Sequence, residues 1–393
     1  MTVAVAVRSD SLMRMAMFSE SYMPRISGVV HSVASFVTAL RAQGHQVTIV
    51  APQVSGYRDA DPETLRFPSV RTRQADFPIG IPYAPDMWRQ LLTMDLDLVH
   101  THAPFTMGAA AARLARRRGL PLVFTHHTLY DEYVHYAPGP AWALRGLVRA
   151  YTVRYANRCD CVIAPSPAVQ ARLRAQGVRS RIEVLPTAAL DPELIFSLDP
   201  SWVRPAFNLP AARPVLVTAS RLAREKSVDL VLRAFARVVR SRDATLLVVG
   251  GGPEETALHR LADDLDLGGR VVFAGMQSHR RTLECLAAAD VFVFASQTET
   301  QGLVVIEAMA AGTAVVAVNA VGIADAVRDG DTGVLVPPDP DALAESMVHL
   351  LDNIPLRQRL AARAKEGASE FAVPALTRRL VEIYQSLLPV HRR

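Results

Sequence analysis

Short apolar runs rich in β-branched residues alternate along the chain with longer stretches of helical periodicity. Runs of this length and composition predict buried parallel strands, each followed by a helix. In the first half they occupy residues 13–18, 46–51, 96–100, 122–125 and 161–164, and in the second half residues 215–219, 245–249, 271–274, 291–295 and 315–318. The pattern therefore predicts an α/β protein with two Rossmann-like, doubly wound parallel-sheet domains.

The connector near residues 186–200 separates the two sets of strands. It contains Pro186, Pro192 and Pro200 and lacks clear periodicity, which is typical of a hinge. We place the first domain at 1–190, the second at 191–374 and a terminal helix at 375–393; the first strand begins near Met13, so 1–12 form a candidate leader. Ligands of such sheets bind at the carboxyl ends of strands, which predicts a site in a cleft between the domains.

The composition excludes several classes of protein. Half of the 393 residues are hydrophobic and 21 are glycine, which excludes a disordered chain. No apolar run approaches the roughly 18 residues of a spanning helix, so we expect a cytoplasmic protein. The three cysteines, Cys159, Cys161 and Cys285, are expected to be reduced, and the C-x-C pair lacks a second ligand pair for a metal site.

The formal net charge of +5 is unevenly distributed. Residues 1–190 carry 21 Arg and 13 acidic residues, whereas residues 191–393 carry 22 basic and 25 acidic residues. A basic first half predicts an anionic partner, and because no nucleic-acid-binding motif accompanies the charge, an anionic membrane surface is favoured over nucleic acid. The helix predicted around residues 142–158 combines arginines with aromatic residues, which suits either an interfacial helix or a core helix with a wet arginine face.

The segment 296–313, S-Q-T-E-T-Q-G-L-V-V-I-E-A-M-A-A-G-T, is the most informative stretch. It predicts a loop with Glu299, followed by a helix over 303–311 that has Glu307 about one turn inside it. The amides of Gln301, Gly302 and Leu303 open that helix and suit a phosphate. Acidic residues near a helix start often serve only as caps, but two carboxylates around a phosphate site also match the layout of a sugar nucleotide.

This string resembles the E-x7-E motif of retaining GT-B glycosyltransferases of family 4. The resemblance implies that Glu299 orients the donor sugar, that Glu307 binds the ribose, and that Thr300 and the amides of 301–303 contact the donor. The strings T-E-T-Q-G from Thr298, H-T-H-A-P-F-T-M-G from His100, and Asp131-Glu132-Tyr133 with His135-Tyr136 resemble bacterial 1,2-diacylglycerol 3-alpha-glucosyltransferases. The resemblance extends collinearly from residue 18 to about residue 338.

Two cations follow the strand at 215–219, in S-R-L-A-R-E-K-S-V-D. Arg221 and Lys226 lie at a strand's carboxyl end and could neutralise a leaving diphosphate, although charge clusters are usually solvated faces. They match the R-x4-K pattern of the family, and Lys226 is one of two lysines in the chain; Arg224 is expected at the surface. Such cations would replace a metal ion, so no metal is expected, and the D-x-D at 95–97 is interpreted as a strand start.

In the first domain, Gly28 precedes a helical pattern and His127 follows a strand. Gly28 could be a plain turn glycine, and paired histidines more often satisfy local hydrogen bonds than catalyse. By the resemblance, Gly28 faces the donor diphosphate, Glu20 and Tyr22 lie nearer the acceptor, and His127 faces the donor sugar and acceptor, with His126 as support.

Two further loops of the second domain match the family more weakly. The glycines at 250–252 could cradle a phosphate or form a tight turn, and relatives commonly carry an acidic residue in place of Gly251. Gly275 and Gln277 resemble the position at which backbone groups meet the base.

The resemblance implies a hexosyltransferase that moves glucose from UDP-glucose, a co-substrate, to a lipid hydroxyl, with diacylglycerol as the preferred acceptor. It needs no cofactor and would associate peripherally with the inner face of the cell membrane. Three alternatives remain open: another family 4 enzyme, such as a phosphoinositide mannosyltransferase that uses GDP-mannose; a UDP-N-acetylglucosamine 2-epimerase; and a non-catalytic membrane-surface protein. The terminal helix, as in many GT-B enzymes, could cross back onto the first domain.

Overall fold

The computed structural model describes residues 12–25, 27–70, 78–132, 140–187 and 190–388, which divide into two compact units. Unit 1 comprises the chain up to Ala164, Arg172–Leu185 and the chain from Thr377; unit 2 comprises Pro165–Ala171 and Pro186–Leu376. Outside the described residues lie residues 1–11 of the candidate leader, Arg71, Arg73, Tyr133, His135, Tyr136 and the last five residues.

A parallel sheet organises unit 1, with seven strands among the described residues in the order β3-β2-β1-β6-β7-β8-β9. The strands of the unit are β1 (Arg14–Phe18), β2 (Gln46–Pro52), β3 (Thr64–Phe67), the antiparallel pair β4 (Ser69–Val70) and β5 (Ile79–Gly80), β6 (Leu98–Thr101), β7 (Leu122–Thr125), β8 (Cys161–Ala164) and β9 (Arg181–Val184). The helices are α1 (Gly28–Ala42), α2 (Pro85–Thr93), α3 (Thr106–Arg118), α4 (Ala141–Ala156) and the second part of α5 (Pro167–Ala175), which belongs to unit 2 up to Ala171.

Unit 2 repeats this design with six parallel strands, counted within the described ranges, in the order β12-β11-β10-β13-β14-β15. They are β10 (Val215–Ala219), β11 (Thr245–Val249), β12 (Val271–Gly275), β13 (Val291–Phe294), β14 (Ala314–Val318) and β15 (Val334–Val336). The helices are α6 (Pro192–Phe196), α7 (Val203–Ala206), α8 (Val228–Val238), α9 (Glu255–Asp264), α10 (His279–Ala287), α11 (Leu303–Ala310), α12 (Ile323–Ala326), α13 (Pro340–Asp352) and α14 (Ile354–Ala368). The last helix, α15 (Val373–Leu387), begins in unit 2 and belongs to unit 1 from Thr377 onward.

The prediction of two doubly wound α/β domains is confirmed. Neighbouring residues of β10 show why the strands read as unbroken apolar runs: Val215 and Val217 pack into the hydrophobic cluster on one face of the sheet, and Leu216 packs into the cluster on the other. A parallel strand covered by helices on both faces needs apolar side chains in both directions.

The predicted strands agree with the observed ones to within two residues, but the short antiparallel pair β4 and β5 and three strands of the parallel sheets were missed. The sequences of β3 and β9, T-L-R-F and R-I-E-V, mix charged with apolar residues, and β15 has three residues. All three occupy sheet edges, where one side of the strand lacks a neighbour and charged side chains are tolerated. The predicted helix over 303–311 ends one residue earlier, at Ala310.

The strand order fixes where each unit can bind a ligand. In unit 1 the connections from β1 and β6 leave in opposite directions, and in unit 2 those from β10 and β13 do the same. Ligands of doubly wound sheets bind at the carboxyl ends of such a strand pair. In the described part of the chain, none of the helices has the length and apolar character needed to cross a bilayer.

Candidate functional site

The β10 and β13 loops of unit 2 bring together two residues predicted separately from the sequence. The Lys226 ammonium donates to Glu299 Oε1, and both side chains are more than four-fifths buried. Ser296, fully buried at the start of the β13 loop, donates through its hydroxyl to the carbonyl of Glu225 at 2.9 Å, which ties the two loops to each other. The cation and the carboxylate therefore meet at the carboxyl ends of the central strand pair.

This arrangement suits a ligand that carries both phosphate and hydroxyl groups. An ammonium has three donors, so Lys226 can hold Glu299 and a phosphate oxygen at the same time. An ionised carboxylate only accepts, so Glu299 can receive hydrogen bonds from sugar hydroxyls. Replacing Glu299 by the neutral glutamine, or Lys226 by the neutral methionine, would keep the size of the side chain but change the net charge of the pair.

The N-terminus of α11 follows Glu299 directly. Gly302 is its N-cap, in the left-handed region at φ 70°, and no side chain caps the helix. A Cβ at this position would lie 2.3 Å from Ile323 Cδ1, so glycine is required for packing as well as for φ. The uncapped first turn from Leu303, with its positive dipole end, is a favourable position for a phosphate.

Gln301 and Thr300 occupy the loop just before this helix. The Gln301 side chain is buried and its Oε1 accepts from the Thr187 amide at 2.5 Å. Its side-chain oxygen therefore has a structural role, whereas the buried Nε2 has no hydrogen-bond partner among the described residues, so Nε2 and the main chain could both serve the donor contact that we predicted. Thr300 lies against Gly322, whose missing side chain leaves room for the Thr300 backbone.

Glu307, the second acidic residue of the E-x7-E motif, is the fifth residue of α11 and is largely buried. Its Oε1 lies 2.9 Å from Nε2 of His279, the first residue of α10. Burial alone would lower the pKa of His279, but the hydrogen bond and charge of Glu307 outweigh it and raise that pKa. Sequence reasoning missed His279, although its place two residues after Gln277, at a helix start, could have drawn attention to it.

The remaining donor-side residues of unit 2 lie in neighbouring loops. Gly275 ends β12 at φ 66°, and Gln277 donates through Nε2 to the carbonyl of Ala274 at 2.6 Å. Arg221 is half-buried just after β10, whereas the Arg224 side chain is 83% exposed, as predicted for a surface residue.

Close packing against the backbone explains why glycine occupies positions 250 and 252. A Cβ on Gly250 would lie 1.9 Å from the Ser220 carbonyl oxygen, and a Cβ on Gly252 would lie 2.4 Å from that of Leu222. Of the two interpretations that the sequence left open, the tight turn accounts for both positions.

Unit 1 contributes a cluster of buried histidines. His127, two residues beyond β7, places Nε2 2.9 Å from Nδ1 of His102, which follows β6. His100, on β6, contacts the Tyr384 hydroxyl at 2.6 Å through Nδ1 and the Thr125 hydroxyl at 2.7 Å through Nε2. We predicted His126 as the support for His127, but the structure gives that contact to His102, because β6 and β7 are adjacent in the sheet.

Burial keeps these histidines uncharged. It lowers the pKa of His100 and of His127 to about 3, that of His126 to about 4, and that of His102 well below the ordinary value. A neutral imidazole has one donor and one acceptor nitrogen, so it suits hydroxyl groups better than phosphates.

The other predicted residues of unit 1 lie after β1. Glu20 is buried, and its carboxylate accepts from the Met107 amide at 2.7 Å and from the Thr106 hydroxyl at 2.8 Å, which gives it a structural role at the start of α3. Burial raises the pKa of Glu20. Tyr22 has its ring 5.8 Å from the Arg66 guanidinium, and Gly28 is the first residue of α1.

The D-x-D sequence at the start of β6 has a structural partner. Asp97 accepts from Arg14 NH2 at 3.0 Å through Oδ1, and Asp95 also pairs with Arg14, on β1. The interpretation as a strand start is supported, because these carboxylates join the beginnings of two adjacent strands, at the opposite edge of the sheet from the histidines.

Helix α4 is buried on one side and exposed on the other. Tyr155 is buried and donates to the Gly108 carbonyl at 2.7 Å, as in a core helix. In contrast, Trp142 is 82% exposed and Leu147 is 67% exposed, beside the exposed Arg149. This helix therefore presents an apolar and basic surface to solvent.

Comparisons with known proteins identify the family of the chain. The family Glycosyltransferase Family 4 matches residues 26–189, and the family Glycosyl transferases group 1 matches residues 203–367. An alpha-monoglucosyldiacylglycerol synthase from Streptococcus pneumoniae is 33% identical over 319 residues, which cover 78% of this chain and 71% of that protein. A GDP-mannose-dependent alpha-mannosyltransferase from Corynebacterium glutamicum is 26% identical and covers 97% and 91% of the two chains.

Among solved structures, the Anabaena HepE protein in complex with UDP and glucose superposes with a TM-score of 0.79 at 22% identity, over 95% of this chain and 100% of that one. At this identity the likeness establishes the fold, which is GT-B. Together with the 33% identity to a glycolipid synthase over most of both proteins, it leads to one conclusion: the chain belongs to the family 4 glycosyltransferases of the GT-B fold and is a glycosyltransferase.

Proposed function

We propose that this glycosyltransferase moves glucose from UDP-glucose to the free hydroxyl of diacylglycerol, with retention of configuration. The observation that carries the proposal is the Lys226–Glu299 pair beside the uncapped start of α11, a site for a diphosphate with a sugar on one side. The names of two relatives, both alpha-monoglucosyldiacylglycerol synthases, support the acceptor, and the HepE complex with UDP and glucose supports the donor.

In this proposal the residues of unit 2 divide the donor among them. The first amides of α11 and the cations Lys226 and Arg221 hold the diphosphate, Glu307 receives hydrogen bonds from the ribose, and Gly275 and Gln277 meet the base. Glu299 orients the sugar hydroxyls. In unit 1, neutral His127 contacts the sugar, Gly28 faces the diphosphate, and Glu20 and Tyr22 lie on the acceptor side.

The chemical step breaks the bond between the sugar C1 and the diphosphate oxygen. The acceptor oxygen bonds to C1 on the face that the diphosphate leaves, and the acceptor proton passes to an oxygen of the departing phosphate. Negative charge grows on the diphosphate as the bond breaks, so Lys226 and Arg221 bind it more strongly in the transition state than in the ground state. These cations do the work for which other enzymes use a metal, and no cofactor is required.

The test is UDP release from UDP-glucose, with and without diacylglycerol, in vesicles that contain anionic phospholipid. Diacylglycerol-dependent release, together with a glucosylated lipid in the extract and an anomeric NMR signal for the alpha product, would support donor, acceptor and stereochemistry. Release that does not depend on diacylglycerol, or a product of the opposite anomeric configuration, would contradict the proposal.

A second candidate is a mannosyltransferase that uses GDP-mannose, because a relative of that name covers almost the whole length of both chains. GDP-mannose with phosphoinositide vesicles should therefore be assayed in parallel. The epimerase and the non-catalytic membrane protein are set aside, because the chain belongs to a glycosyltransferase family.

We further propose peripheral association with the inner face of the cell membrane through α4. The exposed Trp142 and Leu147 would enter the interface while basic residues such as Arg149 meet anionic lipid. Flotation with vesicles of phosphatidylglycerol should exceed flotation with phosphatidylcholine, and Trp142→Ala with Leu147→Ala should reduce it severalfold. Equal flotation with both lipids would contradict this surface.

A further inference from the structure

The two oxygens of the Glu307 carboxylate have different surroundings. Oε1 lies 2.9 Å from His279 Nε2, whereas Oε2 has no hydrogen bond to any of the residues that the structure describes. The Glu307 side chain is only 13% exposed, so its oxygens have little access to bulk water. One oxygen is thus held by the protein and the other is available to a ligand.

We propose that His279 is a positioning residue for nucleotide binding: it holds Glu307 through Oε1 so that Oε2 meets the ribose hydroxyls. The role rests on the proposed function, in which Glu307 binds the ribose of the donor.

The backbone of His279 is well placed for this task. His279 is the first residue of α10, where the N-cap Ser278 accepts from the Arg281 amide through its hydroxyl oxygen at 3.3 Å and from the Thr282 amide through its carbonyl at 2.8 Å. The imidazole therefore extends from a fixed point rather than from a mobile loop. Gln277, which the family resemblance places near the base, lies two residues earlier, so one short segment serves both the base and the ribose.

The charge of the pair favours the same role. Glu307 raises the pKa of His279 despite burial, so the imidazole donates a charge-assisted hydrogen bond over a wider pH range. A glutamate without such a partner must lose rotamer freedom when it binds a ligand, whereas a held carboxylate has already lost it. His279 thereby lowers the entropic cost of binding the ribose.

The alternative is a purely structural role, in which the His279–Glu307 pair only joins α10 to α11. Measurements of nucleotide binding distinguish this structural role from the positioning role. We would determine by calorimetry the Kd of UDP, of GDP, and of UDP analogues that lack the 2′- or the 3′-hydroxyl. The proteins are the wild type, His279→Ala, His279→Gln and, as a control, His349→Gln, which changes an exposed histidine on α13.

We expect His279→Ala to weaken UDP binding about tenfold, the effect of one charge-assisted hydrogen bond, and to lose most of the discrimination against the deoxy analogues. His279→Gln keeps an N–H donor of similar reach and should stay within about threefold of the wild type, as should the control. In the turnover assay, KM for the donor should rise in His279→Ala while kcat at saturating donor changes less than threefold.

Adding Glu307→Gln to His279→Ala should cause little further loss, because both act on the same contact. An unchanged UDP Kd in His279→Ala, whether or not the melting temperature falls, would overturn the positioning role and leave the proposed function intact. Failure of the wild type to bind either UDP or GDP would overturn the donor site itself, and this role with it.

Discussion

The predicted site residues of the two units form different kinds of buried polar cluster. Unit 2 buries Lys226 with Glu299 as an ion pair, and His279 with Glu307 as a hydrogen-bonded pair that becomes an ion pair when His279 is protonated. Unit 1 buries His100, His102 and His127 as neutral rings: His102 and His127 are hydrogen-bonded to each other, and His100 is hydrogen-bonded to two hydroxyl groups. Among these site residues, charged groups lie where a diphosphate is expected, whereas uncharged groups lie where hydroxyl groups are expected.

The difference has a physical origin in what each cluster contacts. A buried cation is stable only with a partner, and the Lys226–Glu299 pair supplies one within unit 2 before any ligand arrives. A neutral imidazole is satisfied by hydroxyls and other imidazoles, such as the Tyr384 and Thr125 hydroxyls on either side of His100. Protonation would break that arrangement, because several adjacent imidazolium groups would repel one another.

The contrast predicts its largest effect at Lys226. Lys226→Ala should lower kcat at least about a hundredfold, the scale for removing one group that stabilises charge in the transition state, with a smaller change in KM. Steady-state UDP release measures both constants. Arg224→Ala is the matched control, because Arg224 is an exposed cation of the same loop, and it should stay within about twofold. Unchanged turnover in Lys226→Ala would remove the charge-stabilising role from unit 2.

Lowering the pH should change the contributions of the two histidine sites to folding stability in opposite directions. Because the pKa of the unit 1 histidines is lowered on folding, the unfolded chain binds protons below pH 6.5 and the folded unit does not, so stability falls as the pH drops toward 3. For one such histidine the loss is about 2 kcal/mol at pH 5. His279 behaves oppositely: its raised pKa adds stability at low pH that is lost as the pH rises through the folded value.

Histidine NMR titration measures this contrast directly. The His100 and His127 signals should not move between pH 7.5 and 5, and the His279 signal should titrate above the pH of an ordinary histidine. Protonation of His100 or His127 above pH 5 in the folded protein would break the contrast between the units.

Tyr384, on α15, tests how much its hydrogen bond to His100 stabilises the histidine cluster of unit 1. Tyr384→Phe should lower the free energy of unfolding by about 1–3 kcal/mol, because it removes the partner of the buried His100 Nδ1. Denaturant unfolding followed at two wavelengths gives the value. Tyr83→Phe, at a side chain that is 80% exposed, should change it by less than about 0.5 kcal/mol. Equal effects of the two substitutions would mean that the hydroxyl does not hold the histidine cluster.

The smallest effect is expected from metal removal. If the cations of unit 2 neutralise the diphosphate, EDTA should leave turnover within about twofold. Asp95→Asn, which alters the D-x-D while Asp97 keeps its bonds to Arg14, should do the same. A large loss with EDTA that Mg²⁺ restores would show that the ion pair does not replace a metal.

Much of the fold and part of the candidate site could be predicted because their signals are local. The strands of both sheets are apolar on both faces, so they appear as continuous runs, and the E-x7-E spacing surrounds a helix start within one segment. The edge strands β3 and β9 could not be predicted, because charged residues are tolerated where a strand has one neighbour. His102 and His279 were missed for another reason: each acts through a residue 25 or 28 positions away.

The sequence by itself determined the α/β class, the E-x7-E motif, the cations after β10 and the family resemblance, because periodicity and short motifs depend on neighbours along the chain. Only the tertiary structure decided that Lys226 meets Glu299 across 73 positions and that Tyr384 of the last helix meets His100 across 284. Strand order places loops that are distant in sequence at one edge of a sheet, and that order depends on the packing of the whole unit rather than on any single segment.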